Sequence, residues 1–178
     1  MGFRIIKYLL LFLFATILQS TVIDLASIQG SKPDLILFLL FYISLKEGPL
    51  WGTIWGFLFG LTIDSTYAPS QLGIGSFCKA CFGFLAGNWG DKIYLETPHS
   101  KGLFLFSLII THDILIYGMG KMGNSSLPFW RPLLVKSLPT AAYTAILGAF
   151  IYLLIKRQAE KGYIIGSLRG KEETERGV

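Results

Sequence analysis

Three residues set inside long apolar stretches are of types that do chemistry: Lys79, His112 and Asp113. An ammonium or a carboxylate in hydrocarbon is expensive, so each is expected to face the protein interior and to find a partner there. At about 1.5 Å per helical residue, Lys79 lies about 12 Å below the outer end of its helix, and His112 and Asp113 about 8 Å below the outer end of theirs. A Lys79 to Asp113 pair across two helices is the expected arrangement. It has two readings: a neutralised pair that locks the helices together, or a proton or substrate site in the bundle interior. His112 and Asp113 point about 100° apart around a helix, so they make a poor catalytic dyad by themselves.

Cys78 and Cys81 form a C-x-x-C around Lys79 and Ala80. Neither a second ligand pair nor a thioredoxin-like context accompanies them, and they read as small, inert, buried thiols. No phosphate-binding loop, no G-x-S-x-G elbow and no H-E-x-x-H occurs in the chain. The expectation is a non-enzymatic protein with no cofactor, no metal and no nucleic-acid partner. A small-molecule carrier is the rival reading, its thin lining drawn from Gln19, Ser20, Asp64, Gln71, Lys79, His112 and Asp113.

The elements that must position these residues are apolar. Of 178 residues, 52% are hydrophobic and 15% charged, and the mean hydropathy is +0.56. That is too apolar for one soluble core and implies an integral membrane protein in contact with the lipid bilayer. Six apolar stretches run over about 5–25, 34–45, 49–64, 71–90, 102–118 and 133–155. The first lacks a small-x-small cleavage site and is expected to be a retained helix. The second and third are short for a crossing. The turn at Lys46, Glu47, Gly48 and Pro49 carries charges that should reach water, so the pair should still span.

The fold class is therefore all-α: six transmembrane helices in one compact bundle over residues 1–155, followed by a weakly ordered, mixed-charge tail over 156–178. Six crossings put Arg4, Lys7, Lys46, Lys92, Lys101, Lys156, Arg157, Lys161, Arg169, Lys171 and Arg176 on one side, against Lys32, Lys121 and Arg131 on the other. The positive-inside rule then places both termini in the cytoplasm. Phe129 and Trp130 in the 118–132 loop read as interfacial anchors, and Asn124-Ser125-Ser126 as a chance sequon.

Two local patterns stand out. In "SKPDLILFLL", Pro33 suits the first turn of a helix and Asp34 its positive end. In "GPLWGTIWGFLFGLTID", Gly48, Gly52, Gly56 and Gly60 recur every fourth residue and the run closes on Asp64. Residues four apart share a helix face, so the glycines cut a shallow groove into the third helix. In lipid, helices associate through close backbone packing and polar contacts, which makes the groove a docking surface for a helix of this chain or of another protein. Gly83 and Gly87 repeat the spacing in the fourth helix.

Taken in order, Lys32-Pro33-Asp34, Gly48-Pro49, the glycine stripe closing on Asp64, Leu72-Gly73, the "GFLAG" of the fourth helix and the final "LPTAAYTAILGAFIYLLIKR" with Pro139 resemble the rod shape-determining protein MreD family. Gly75 and Thr144 stand where that family often has Asn, which weakens the expectation of a polar role at those two positions. The resemblance implies a scaffold of the bacterial cell-elongation machinery in the cytoplasmic membrane. Its implied partner is an MreC-like single-helix protein, and its indirect partners are MreB filaments, a SEDS glycosyltransferase and a penicillin-binding transpeptidase. It also implies a fold similar to the S components of energy-coupling vitamin transporters. Joined to the stripe, it makes Gly48, Gly52, Gly56, Gly60 and Asp64 the expected seat of a partner helix.

Overall fold

The structure is a computed structural model, and it describes residues 2–21, 33–67, 72–90, 98–120, 133–151 and 153. Expectations for Lys32, Gln71, the sequon, Phe129, Trp130 and the 156–178 tail lie outside these residues. The described chain is helical throughout: α1 (Gly2–Thr21), α2 (Leu35–Glu47), α3 (Pro49–Tyr67), α4 (Ile74–Gly90), α5 (Pro98–Gly120) and α6 (Leu133–Ile151). Among the described residues, three stretches are long and apolar enough to cross a membrane: Arg4–Thr21, His99–Met119 and Leu133–Ile151.

Helix α2 is the hub. Its 13 residues reach only about 20 Å, against a hydrocarbon core of about 30 Å. It contacts α1, α3, α4 and α5, and Asp34 and Phe38 on it meet α6. Ile36, Leu37, Leu39, Leu40, Phe41 and Ile43 are buried, so most of its circumference faces protein, while Tyr42 stands 38% exposed. A helix walled in by its neighbours need not match the bilayer's thickness itself.

Both ends of α2 are fixed by local chemistry. Asp34 is the N-cap, and its Oδ1 accepts from the backbone N–H of Ile36 (3.0 Å) and Leu37 (2.9 Å). Pro33 precedes the cap and so stands outside the first turn expected for it. At the other end α2 runs on through Lys46 and Glu47, and the turn shrinks to one residue. Gly48 has φ +87°, donates to Ser44 O at 3.0 Å and accepts from Gly52 N at 3.0 Å. It thus closes α2 and opens α3, a backbone conformation that glycine adopts without strain. Pro49 follows as the first residue of α3, where its missing N–H removes no intrahelical bond.

Helix directions follow from pairs of contacts. Tyr8 meets Trp55 edge-on with centroids 5.9 Å apart, and Phe12 stacks on Phe59 at 4.1 Å, so α1 and α3 run parallel. Gly52, Gly56 and Gly60 face Gly83, Lys79 and Ser76 in turn, so α3 and α4 run antiparallel. Asp34 and Phe38 meet Thr144 and Gly148, so α2 and α6 run parallel, while Lys101 and Gly102 near the start of α5 lie with Gly148, Ala149 and Ile151 late in α6, as in an antiparallel pair.

Large apolar side chains cover the outside. Ile6, Leu10, Phe14 and Ile17 on α1, and Val135, Ile146 and Phe150 on α6, are each more than half exposed. An apolar belt of this extent is the surface of a protein solvated by lipid. Helix α6 opens with a π turn over Leu133–Ser137, just ahead of Pro139. Proline offers no N–H to the preceding turn, and the wider turn is where the helix absorbs that loss. The last helix therefore begins five residues earlier than the Leu138 start of the "LPTAAYT" segment.

Candidate functional site

The glycine stripe is a seam between α3 and α4. A Cβ built on Gly52 would lie 2.5 Å from Gly83 O and 2.5 Å from Ser44 Oγ, and one on Gly56 would lie 2.7 Å from the carbonyl carbon of Lys79 and 3.0 Å from Ala80 Cα. One on Gly60 would strike Gly75 O and the Ser76 backbone, and one on Gly87 would strike the backbone of Pro49. Most of the opposing atoms are main chain, which cannot rotate aside. Such close approach is what holds helices together where lipid solvates apolar side chains as well as protein does.

Of the two occupants that the spacing leaves open, a helix of this chain or one of another protein, α4 of the same chain lies along Gly52, Gly56 and Gly60. Gly48 drops out of the stripe, since it is the joint before α3 and nothing lies within 4 Å of its would-be Cβ.

Asp64 explains why the stripe stops where it does. It is 5% exposed, and its Oδ2 accepts from Gly73 N (3.0 Å), Ser76 N (2.9 Å) and Ser76 Oγ (3.2 Å). Those N–H groups are orphan donors at the start of α4, so a carboxylate on α3 caps the next helix and meets the positive end of its dipole. Gly73 has φ +102°, and a Cβ on Gly75 would run into the Asp64 carboxylate. Leu72-Gly73 and Gly75 are thus the turn that lets α4 present its first N–H groups to Asp64.

Thr144 carries a polar contact although it stands where the resemblance weakens that expectation. It is 1% exposed, accepts from Asp34 N at 2.9 Å and donates to Thr140 O at 2.7 Å. The start of α2 is tied by this bond to the middle of α6, 110 positions away in sequence.

Lys79 is 7% exposed, and the expected pair with Asp113 does not form. Asp113 instead turns to its neighbour, with His112 Nδ1 3.0 Å from Asp113 Oδ1. Two adjacent helical side chains reach each other by bending along the helix surface, despite starting about 100° apart. Nε2 is the other ring nitrogen of His112. That Nε2 is buried without a hydrogen-bond partner, and the His112 ring stands edge-on to Phe82 at 6.0 Å. Cys78, a free thiol, lies within electrostatic reach of Lys79, Asp64 and Asp113. The polar residues therefore gather in one region, but contact runs within α5 and between α3 and α4 rather than through a Lys79–Asp113 bridge.

A second cluster, which sequence reasoning passed over, sits at the opposite end. Tyr8 Oη donates to Glu47 Oε1 at 2.6 Å, and Arg4 Nη1 lies 3.3 Å from Glu47 Oε2. The Tyr8 hydroxyl first, and the Arg4 and Lys46 charges after it, hold the Glu47 carboxyl below its ordinary value of 4.5 against the opposing effect of burial. Arg4, Tyr8 and Glu47 line, with Trp51 and Trp55, a cavity of about 310 Å³. The signal available in the sequence is the charged pair Lys46-Glu47 at a helix end, which by itself implies only a turn that reaches water.

Among the described residues no group of three or more His, Cys, Asp and Glu is placed to hold a metal. What the arrangement does is structural: carboxylates cap helices, glycines admit backbones, and a threonine bridges two helices. No curated protein and no solved structure matches the chain. A family model described as rod shape-determining protein MreD matches residues 2–157. That match takes in every glycine of the seam, both capping aspartates and Thr144, and the chain belongs to the MreD family, a membrane protein family of rod shape determination.

Proposed function

We propose that the chain is a non-enzymatic scaffold of the cell-elongation complex in the bacterial cytoplasmic membrane. It crosses the membrane six times with both termini inside, binds an MreC-like single-helix protein, and helps couple MreB filaments to a SEDS glycosyltransferase and a penicillin-binding transpeptidase. The observation that carries this reading is the family match over residues 2–157. It is supported by the use to which the buried polar groups are put: Asp34, Asp64, Ser76 and Thr144 each hold a helix end or a helix pair. The alternation of helix directions and the lysine and arginine asymmetry support six crossings with a basic inner face.

With α4 in the glycine groove, the partner helix is received on another surface of the bundle. The test is affinity purification of the full chain from its native membrane, followed by identification of what accompanies it. An MreC-like protein in stoichiometric amount is the expected result. Recovery of an energy-coupling ATPase module in its place would overturn the scaffold reading in favour of a vitamin carrier.

A further inference from the structure

We propose that the groove between α2, α5 and α6, at the end that carries Lys46 and Lys101, holds one anionic phospholipid, with its acyl chain along the groove and its phosphate against the two lysines. This goes beyond the scaffold reading and is independent of which proteins the chain binds. The groove has a volume of about 240 Å³ and is lined by Phe38, Leu45, Leu105 and Ala149 with Tyr42 and both lysines at its rim. Its wall is apolar except for those lysines, which is the polarity profile of a diacyl lipid with a charged head.

Gly102 leaves the floor open: a Cβ there would rest at an ordinary 3.6 Å from Ala145 O and Ala149 Cβ, so a longer side chain would project into the groove. The Lys46 ammonium stands 5.8 Å from the centre of the Tyr42 ring, a cation and an amphipathic ring of the kind found at headgroup depth. Lys46 lies in the last turn of α2, Lys101 in the first turn of α5 and Gly148 to Ile151 in the later part of α6 that is described, so all three helices bring the site to the same end of the bundle. That is the end to which the excess of lysine and arginine belongs, facing the leaflet whose anionic lipids attract such residues.

The test uses the purified full chain, stripped of lipid and incubated with phosphatidylglycerol or with phosphatidylethanolamine of the same acyl chains, and reads retained lipid by native mass spectrometry. Two lysines at about fivefold each predict a preference of about 25-fold for phosphatidylglycerol. The K46Q/K101Q variant should lose that preference and K46R/K101R should keep it, which separates charge from a general loss of fold. Gly102→Leu should lose phosphatidylglycerol with both lysines in place. Equal retention of the two lipids by the native chain, or an undiminished preference in K46Q/K101Q, would overturn the proposal. So would a native chain that retains neither lipid while truncation after residue 160 creates binding, since the groove would then belong to the chain's own tail.

Discussion

Replacing Gly56 with alanine adds one methyl group where the structure leaves none. The new Cβ would stand 2.7 Å from the carbonyl carbon of Lys79 and 3.0 Å from Ala80 Cα, whereas ordinary contacts begin at 3.4 Å. Both obstacles are backbone, so relief requires α3 and α4 to part by roughly 1 Å at the middle of their seam, and overpacking of this kind costs about 1–3 kcal/mol. Alanine also favours the helix over glycine by about 0.5–1 kcal/mol, which masks part of the loss. Gly102→Ala in α5 supplies the control, because its Cβ meets its neighbours at 3.6 Å while the gain in helix propensity largely cancels between the two variants. The quantity to measure is the difference in unfolding free energy between the two variants in the same detergent, followed by tryptophan fluorescence. Gly56→Ala is expected to be the weaker by about 1–3 kcal/mol. If the two variants are equally stable, the seam is not set by backbone contact and the account of the stripe is wrong.

The other contacts make comparable predictions. Asp64→Ala leaves two backbone N–H groups at the start of α4 without their acceptor and should destabilise by about 1–3 kcal/mol, with Asp64→Asn losing less; chemical denaturation in detergent ranks the two. Thr144→Val removes the acceptor for Asp34 N–H and should lose about 1–2 kcal/mol while Thr144→Ser stays near the native value, so equal losses would rule out the hydroxyl as the reason. Because the Glu47 carboxyl is held below 4.5, it contributes stability that is fully present above that value and is lost as pH falls through its lower folded value. Tyr8→Phe removes the largest cause, so the acid-side slope of stability against pH should flatten; an unchanged slope would assign it to other groups.

The local features were legible because they depend on near neighbours in the chain. A proline and an aspartate before an apolar run mark a helix start, and the structure places the cap at Asp34. Glycine at every fourth position marks a face that admits another backbone, since helical geometry alone brings those residues into line. The excess of apolar residues fixed an all-helical membrane protein, because in lipid each backbone polar group must be satisfied within its own segment.

Which helix meets which was decided only by the tertiary structure. The stripe's spacing is the same whether α4 or a foreign helix lies against it, and only the packing assigns it to α4. The Lys79–Asp113 pair follows from the cost of a lone charge in hydrocarbon, but that cost leaves the direction of a helix face undetermined, and Asp113 turns to His112. Thr144 reads as an ordinary helical threonine until α2 is brought beside α6, and Glu47 as a solvated turn residue until α1 brings Arg4 and Tyr8 to it. Spacing along one helix fixes what lies on a face. Pairing across helices depends on how all six rotate about their axes to satisfy one another's packing at once, and that is a property of the assembled bundle.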